Sequence, residues 1–216
     1  MNEIDKESRA YKIAAGKGVM NLPNKLTISR MVMIPVFVLF FYLNFTAHYF
    51  VALAMFGIAC LTDLFDGKIA RKYNLVTNLG KFLDPIADKV LVLSALVIML
   101  TVPEIFVANL GFWALIAAGC GVAVILAREI IVSGFRMVAA STGIVIAADV
   151  FGKYKTTTQD IAIVLLILGA GIAELTDNIV GQIINYIGLA FFAISVLLTL
   201  VSGINYLVKN REVLKK

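Results

Sequence analysis

Of the 216 residues, 61% are hydrophobic and 15% are charged. Soluble domains carry about a quarter charged residues, so this composition excludes an ordinary water-soluble globule and indicates an integral membrane protein, which the helix-length apolar runs described below make all-α. The net charge of +5 comes from dispersed lysines and arginines that are not interleaved with exposed aromatics, which excludes nucleic acid as a partner and suits anionic lipid headgroups.

Residues 1–22 form an amino-terminal juxtamembrane segment. Its charges (Glu3, Asp5, Lys6, Glu7, Arg9, Lys12 and Lys17) rule out a secretory signal. Ile4, Tyr11, Ile13, Val19 and Met20 among them fit either an amphipathic stretch on the membrane surface or a disordered lead-in. A six-helix membrane domain follows over 23–208. Between Met31 and Thr62 the only titratable base is His48. That run is too long for one crossing of about 20 residues. Asn44, Thr46 and His48 interrupt it, giving helices near 25–44 and 48–71. A third helix runs over 80–101, and a fourth starts at 105 and continues through Arg128 to about 140. A fifth covers 156–173 and a sixth 178–208, before a basic tail at 209–216. Cys60 and Cys120 lie in apolar runs and are expected to be free, buried and inert.

All 19 lysines and arginines fall in or beside the amino terminus, the 2–3 turn, the 4–5 connection and the tail. The connections near 44–48, 101–105 and 173–178 carry Glu104, Glu174 and Asp177 instead. The positive-inside bias therefore puts both termini and the 2–3 turn in the cytoplasm, and makes His48 an ordinary loop residue on the outer side.

The 2–3 region, LTDLFDGKIARKYNLVTNLGKFLDPIADKV, is the informative stretch. Asp63 and Asp66 are three apart, and Asp84 and Asp88 four apart, so each pair shares a helix face. The polar segment 67–79, with Asn74 and Asn78, turns the chain and brings the pairs together. Like charges so close require a counter-charge, and hard oxygen donors suit Mg²⁺, Mn²⁺ or Ca²⁺. The plainer alternative pairs these acids with Lys68, Arg71, Lys72, Lys81 and Lys89. Gly67 and Gly80 favour a ligand, because a missing side chain permits close approach; Ala70 fits a ligand or a helix contact equally.

Asp63-x2-Asp66-Gly67-x2-Ala70-Arg71-x8-Gly80-x3-Asp84-x3-Asp88 matches the whole signature of the CDP-alcohol phosphatidyltransferases, and the six-helix plan resembles theirs too. The resemblance implies attack of an alcohol on the lipid-linked phosphate of CDP-diacylglycerol, with CMP leaving. It implies two Mg²⁺ or Mn²⁺ ions on Asp63, Asp66, Asp84 and Asp88, with Asp88 the general base and catalytic residue. It implies donor binding at Gly67, Ala70, Arg71 and Gly80, a homodimer, and a bacterial cytoplasmic membrane location with the site facing the cytoplasm. Gly169, Gly171, Gly181, Gly188 and Gly203 suit either a second copy or internal helix packing.

The acceptor is read from other residues. A phosphate-bearing alcohol requires extra cations: Lys81, Arg128, Arg136, Lys153 and Lys155 are the candidates. Arg128 and Arg136 lie about 12 Å apart along one helix, and arginine at membrane depth marks function unless it snorkels or pairs with Glu129 or Asp149. The stretches NLPNKLTISR, AREIIVSGFRMVAA and GKYKTTTQ resemble the branch of the family whose acceptor is sn-glycerol 3-phosphate. Acceptor-phosphate binding is accordingly expected from Lys81, Arg128, Arg136 and Lys153. Asn24 and Thr27 would contact the nucleotide, unless they cap a helix, and Arg30 would meet a phosphate. Two rivals stay open: another acceptor (inositol phosphate, inositol, serine or another phosphatidyl lipid), and a divalent-cation transporter using the same aspartates.

Overall fold

The computed structural model describes residues 21–43, 45–73, 77–107, 111–141, 150–176 and 179–211. The expected surface segment before Asn21 and the tail beyond Arg211 lie outside the described residues. The elements are helices throughout: α1 (Leu22–Tyr42), α2 (His48–Lys72), α3 (Asn78–Leu100), α4 (Pro103–Val107), α5 (Phe112–Ser141), α6 (Val150–Thr176) and α7 (Ile179–Lys209). Five of them, α1, α2, α5, α6 and α7, are long and apolar enough to cross a membrane. Helix α3 has 23 residues but carries Asp84, Asp88 and Lys89 in its first half, which keeps it out of that set. The chain divides into two compact units, Met1–Ser94 and Ala95–Lys216.

In the first unit α1 packs along α2. Asn21 caps α1, its Oδ1 accepting the Asn24 N–H at 3.1 Å, and Pro23 sits in the opening turn where no N–H is required. One buried stripe then runs the length of α1: Asn24, Thr27, Arg30, Ile34, Phe37 and Phe41. Steps of three and four keep these residues on one face. The upper half of the stripe is apolar and meets Ala52, Phe56 and Ala59 of α2, all buried, with the Phe37 and Phe56 rings 6.0 Å apart. The lower half of the same stripe is polar. That switch in chemistry along a single face positions the candidate site.

In the second unit α6 and α7 form a closely packed pair. A Cβ on Gly181 would stand 2.7 Å from the Ala173 backbone nitrogen, and one on Gly169 2.9 Å from that of Asn185. A Cβ on Gly188 would stand 3.0 Å from the Leu166 backbone nitrogen. These glycines let two helix backbones touch, the internal use of small residues. Gly121 of α5 instead makes room for side chains of α7, those of Phe192 and Val196, each 3.0 Å from where its Cβ would stand. Asn185 of α7 donates to the Ile105 carbonyl of α4 at 2.9 Å.

Several sequence expectations are corrected. The fourth helix expected from 105 to 140 is two, because Gly111 at φ 76° adopts the left-handed conformation that glycine tolerates, separating α4 from α5. Helix α6 begins at Val150 and not near 156. Thr156, Thr157 and Thr158 donate to the carbonyls of Gly152, Lys153 and Tyr154 at 3.1, 3.1 and 2.7 Å, so a polar stretch remains helical by bonding its own backbone. His48 is no loop residue; it opens α2, is 8% exposed and stacks on Tyr49 with centroids 4.0 Å apart. Neither cysteine is in a disulfide, but Cys120 is exposed and Cys60 half-buried. In a membrane protein an apolar side chain has a second comfortable place, facing lipid.

Candidate active site

Helices α1, α2 and α3 supply the acidic cluster of the first unit. Asp63 and Asp66 lie near the end of α2 on one face; Asp84 and Asp88 lie in the opening turns of α3. Asp66 is buried, Asp63 and Asp84 are half-buried and Asp88 is exposed. Helix α1 draws them together. Arg30, with no exposed surface, places Nη1 2.7 Å from Oδ1 of Asp63 and Nη2 2.6 Å from Oδ2 of Asp66. One turn earlier, the Thr27 hydroxyl lies 2.6 Å from Oδ1 of Asp84 and 3.4 Å from Oδ2 of Asp66. Asp88 stands within electrostatic reach of Asp63, Arg30, Lys89 and Asp84. The two acidic pairs therefore converge, and the ion pairs described for Asp63 and Asp66 come from α1, not from the neighbouring lysines.

A polar floor adjoins the cluster. The Asn24 side-chain amide donates to Oγ1 of Thr77 at 2.8 Å, and Thr77 caps α3 by accepting the Gly80 N–H at 3.0 Å. Gly80 is small for a visible reason: a Cβ there would stand 2.7 Å from Oδ1 of Asn24 and 3.3 Å from Oγ1 of Thr77. Its missing side chain makes room for a protein group, where the sequence suggested a ligand. Thr77 is the functional neighbour that sequence reasoning missed. Its signal was a threonine three residues before a glycine at a helix start.

Asn24, Thr27 and Arg30, expected at the nucleotide, are thus engaged with protein partners. Gly67 is half-buried one residue after Asp66. Ala70, Arg71 and Lys81 lie on α2 and α3, but their side chains lie outside the described part of the structure.

The donor chemistry fits a divalent metal: all four acids offer hard carboxylate oxygens, and two of them already hold a cationic group between them. Among the described residues no three acids gather around a single point as metal ligands. The space between Asp63 and Asp66 is taken by the Arg30 guanidinium.

The expected acceptor-phosphate residues Arg128, Arg136 and Lys153 belong to the second unit. Oε1 of Glu129 accepts from Nη1 of Arg128 at 2.8 Å and from Nζ of Lys155 at 2.7 Å. Nη2 of Arg128 reaches Oγ of Ser202 at 3.3 Å, and its stem packs where a Cβ on Gly203 would come within 3.0 Å. Lys155 is buried, whereas Lys153 is exposed. The lysine that joins Arg128 is therefore Lys155, two residues on. Arg136 is exposed, with Nε 3.2 Å from the Tyr206 hydroxyl and its guanidinium 5.5 Å from that ring's centroid.

Comparison with known proteins follows the same lines. A family model described as CDP-alcohol phosphatidyltransferase matches residues 20–201. The chain is 39% identical over 212 residues to the CDP-diacylglycerol–glycerol-3-phosphate 3-phosphatidyltransferase of Bacillus subtilis (strain 168), covering 91% of this chain and 98% of that one. It is 41% identical over 190 residues to the protein of the same name from Rickettsia typhi, at 86% and 94% coverage. With the protein of that name from Shigella flexneri serotype 5b it shares 39% over 189 residues, at 87% and 93% coverage.

Proposed function

The chain belongs to the CDP-alcohol phosphatidyltransferase family, and from that premise we propose that it transfers a phosphatidyl group from CDP-diacylglycerol to sn-glycerol 3-phosphate. The products are phosphatidylglycerophosphate and CMP. The observation that carries the acceptor is the 39% identity to a relative of that name over 91% of this chain. Because the likeness runs through nearly the whole length, it includes the residues outside the aspartate signature, where acceptors are distinguished. The same likeness favours this reading over a cation transporter.

The roles follow from chemistry. Asp88, exposed and beside Asp84, takes the proton from the primary hydroxyl of the acceptor. The hydroxyl oxygen then bonds to the lipid-linked phosphorus as the bond from that phosphorus to CMP breaks. Two Mg²⁺ or Mn²⁺ ions held by Asp63, Asp66, Asp84 and Asp88 would supply neutralisation of the pyrophosphate and of the departing CMP. Thr27 and Arg30 hold the carboxylates in place. Gly67 admits the cytidine, and Arg71 offers a planar fork to a CDP phosphate. Lys81, Arg128, Arg136 and Lys153 are the residues we assign to the phosphate of the acceptor, a dianion near neutral pH, on the chemistry of their charges alone.

The protein is a membrane protein, and we place it in the bacterial cytoplasmic membrane with α3 as a sixth crossing. Its basic connections support a site on the cytoplasmic side. A homodimer remains the expected assembly, with an interface that does not use Gly169, Gly181 or Gly188. The test is incorporation of labelled glycerol 3-phosphate into lipid, dependent on added CDP-diacylglycerol. Asp66→Asn should abolish CMP release with the helical spectrum unchanged. Appreciable turnover by that variant would remove Asp66 from the site.

A further inference from the structure

Arg30 is an unusual place to bury a charge. Its side chain has no exposed surface, and it sits low on α1, on the face that higher up carries Ile34, Phe37 and Phe41. Its two terminal nitrogens go to two different carboxylates, at 2.7 Å from Asp63 and 2.6 Å from Asp66. Its Nε is buried without a hydrogen bond among the described residues. An arginine kept for structure alone would be expected to satisfy that donor as well. Asp63 and Asp66 are thus held together by a group chemically unlike their expected ligand.

We infer that Arg30 is the resident counter-cation of the Asp63–Asp66 pair, holding the two carboxylates together when no divalent ion is bound and competing with that ion for them. The inference rests on the metal-binding reading above. Without Arg30, two carboxylates on one face of α2 would repel each other across a half-buried space. With it, an arriving Mg²⁺ or Mn²⁺ meets a positive charge already seated against two of its ligands. Arg30 therefore stabilises the ion-free protein and lowers its affinity for the ion. Thr27, whose neutral hydroxyl donates to Asp84 at 2.6 Å and stands 3.4 Å from Asp66, orients ligands without opposing the metal. The two neighbours on α1 thus have opposite effects on binding.

The test is a Mn²⁺ titration of the full chain in detergent micelles after chelator treatment. Melting is followed by circular dichroism, and free Mn²⁺ by electron paramagnetic resonance. Arg30→Gln should melt below the parent without metal, gain more than the parent from Mn²⁺, and half-saturate at about tenfold lower Mn²⁺. A gain and half-saturation equal to the parent's, or a weakened affinity, overturns the inference. Should Arg30→Gln not fold, Arg30→Lys decides, since it keeps the charge but not the fork. Half-saturation about threefold below the parent supports competition, and an unchanged or higher value overturns it. Lipid synthesis by the parent without any divalent ion would defeat the metal reading itself, a failure separate from either result.

Discussion

The hydroxyl of Thr27 lies 2.6 Å from Oδ1 of Asp84, joining residues 57 apart in sequence. Hydrogen bonds to a charged acceptor contribute about 1.5–3 kcal/mol. Thr27→Val keeps the shape and removes the donor, so it should lower stability by about that amount and CMP release by at least tenfold. Thr27→Ser should restore most of both. Thermal melts and a CMP-release assay on the three proteins measure it.

Gly80→Ala should destabilise by about 1–3 kcal/mol, the usual range for overpacking. The new methyl would stand 2.7 Å from Oδ1 of Asn24. Asn24 is 1% exposed and bonded to Thr77, so it cannot swing aside without breaking that bond. Combining Gly80→Ala with Asn24→Ala should recover part of the loss in a melting experiment, because the clashing atom is gone.

Glu129 binds two cations through one oxygen, and truncating it takes the paired carboxylate from both, leaving Arg128 its contact with Ser202. Glu129→Ala should cost about 3–5 kcal/mol, the scale for leaving a buried charge unpaired. Replacing Glu129 and Lys155 together with methionine should cost less than Glu129→Ala alone. Melting temperatures of the single and double variants decide it; strict additivity would contradict the pairing.

Tyr206→Phe removes the hydroxyl that Nε of Arg136 meets at 3.2 Å but keeps the ring beneath the guanidinium. Stability should change by less than about 1 kcal/mol, a typical net hydrogen bond. If Arg136 serves the acceptor, KM for glycerol 3-phosphate should rise severalfold while kcat holds. Steady-state kinetics with the acceptor varied supply the comparison.

The acidic pairs were legible because their chemistry and their helical spacing are both written locally. Asp63, Asp66, Asp84 and Asp88 need no tertiary knowledge to be grouped. The partner of Asp63 and Asp66 was less legible. Arg30 lies more than thirty residues away, and five basic residues nearer in sequence competed for the role. Its place on the α1 stripe was visible in the spacing Asn24, Thr27, Arg30, Ile34 and Phe37, had the polar end been read as continuing the apolar one. The start of α6 was misjudged because hydropathy marks where lipid begins, and Thr156, Thr157 and Thr158 continue a helix beyond that point. Cys120 was misplaced for a related reason: in a bilayer, apolar does not mean interior.

The glycine contacts of α6 and α7 have a further consequence. Where two backbones touch, neither water nor detergent can reach the amides between them, so exchange with deuterated solvent there requires the helices to part. The amides around Leu166, Gly169, Ala173, Gly181 and Gly188 should be the last in the second unit to exchange.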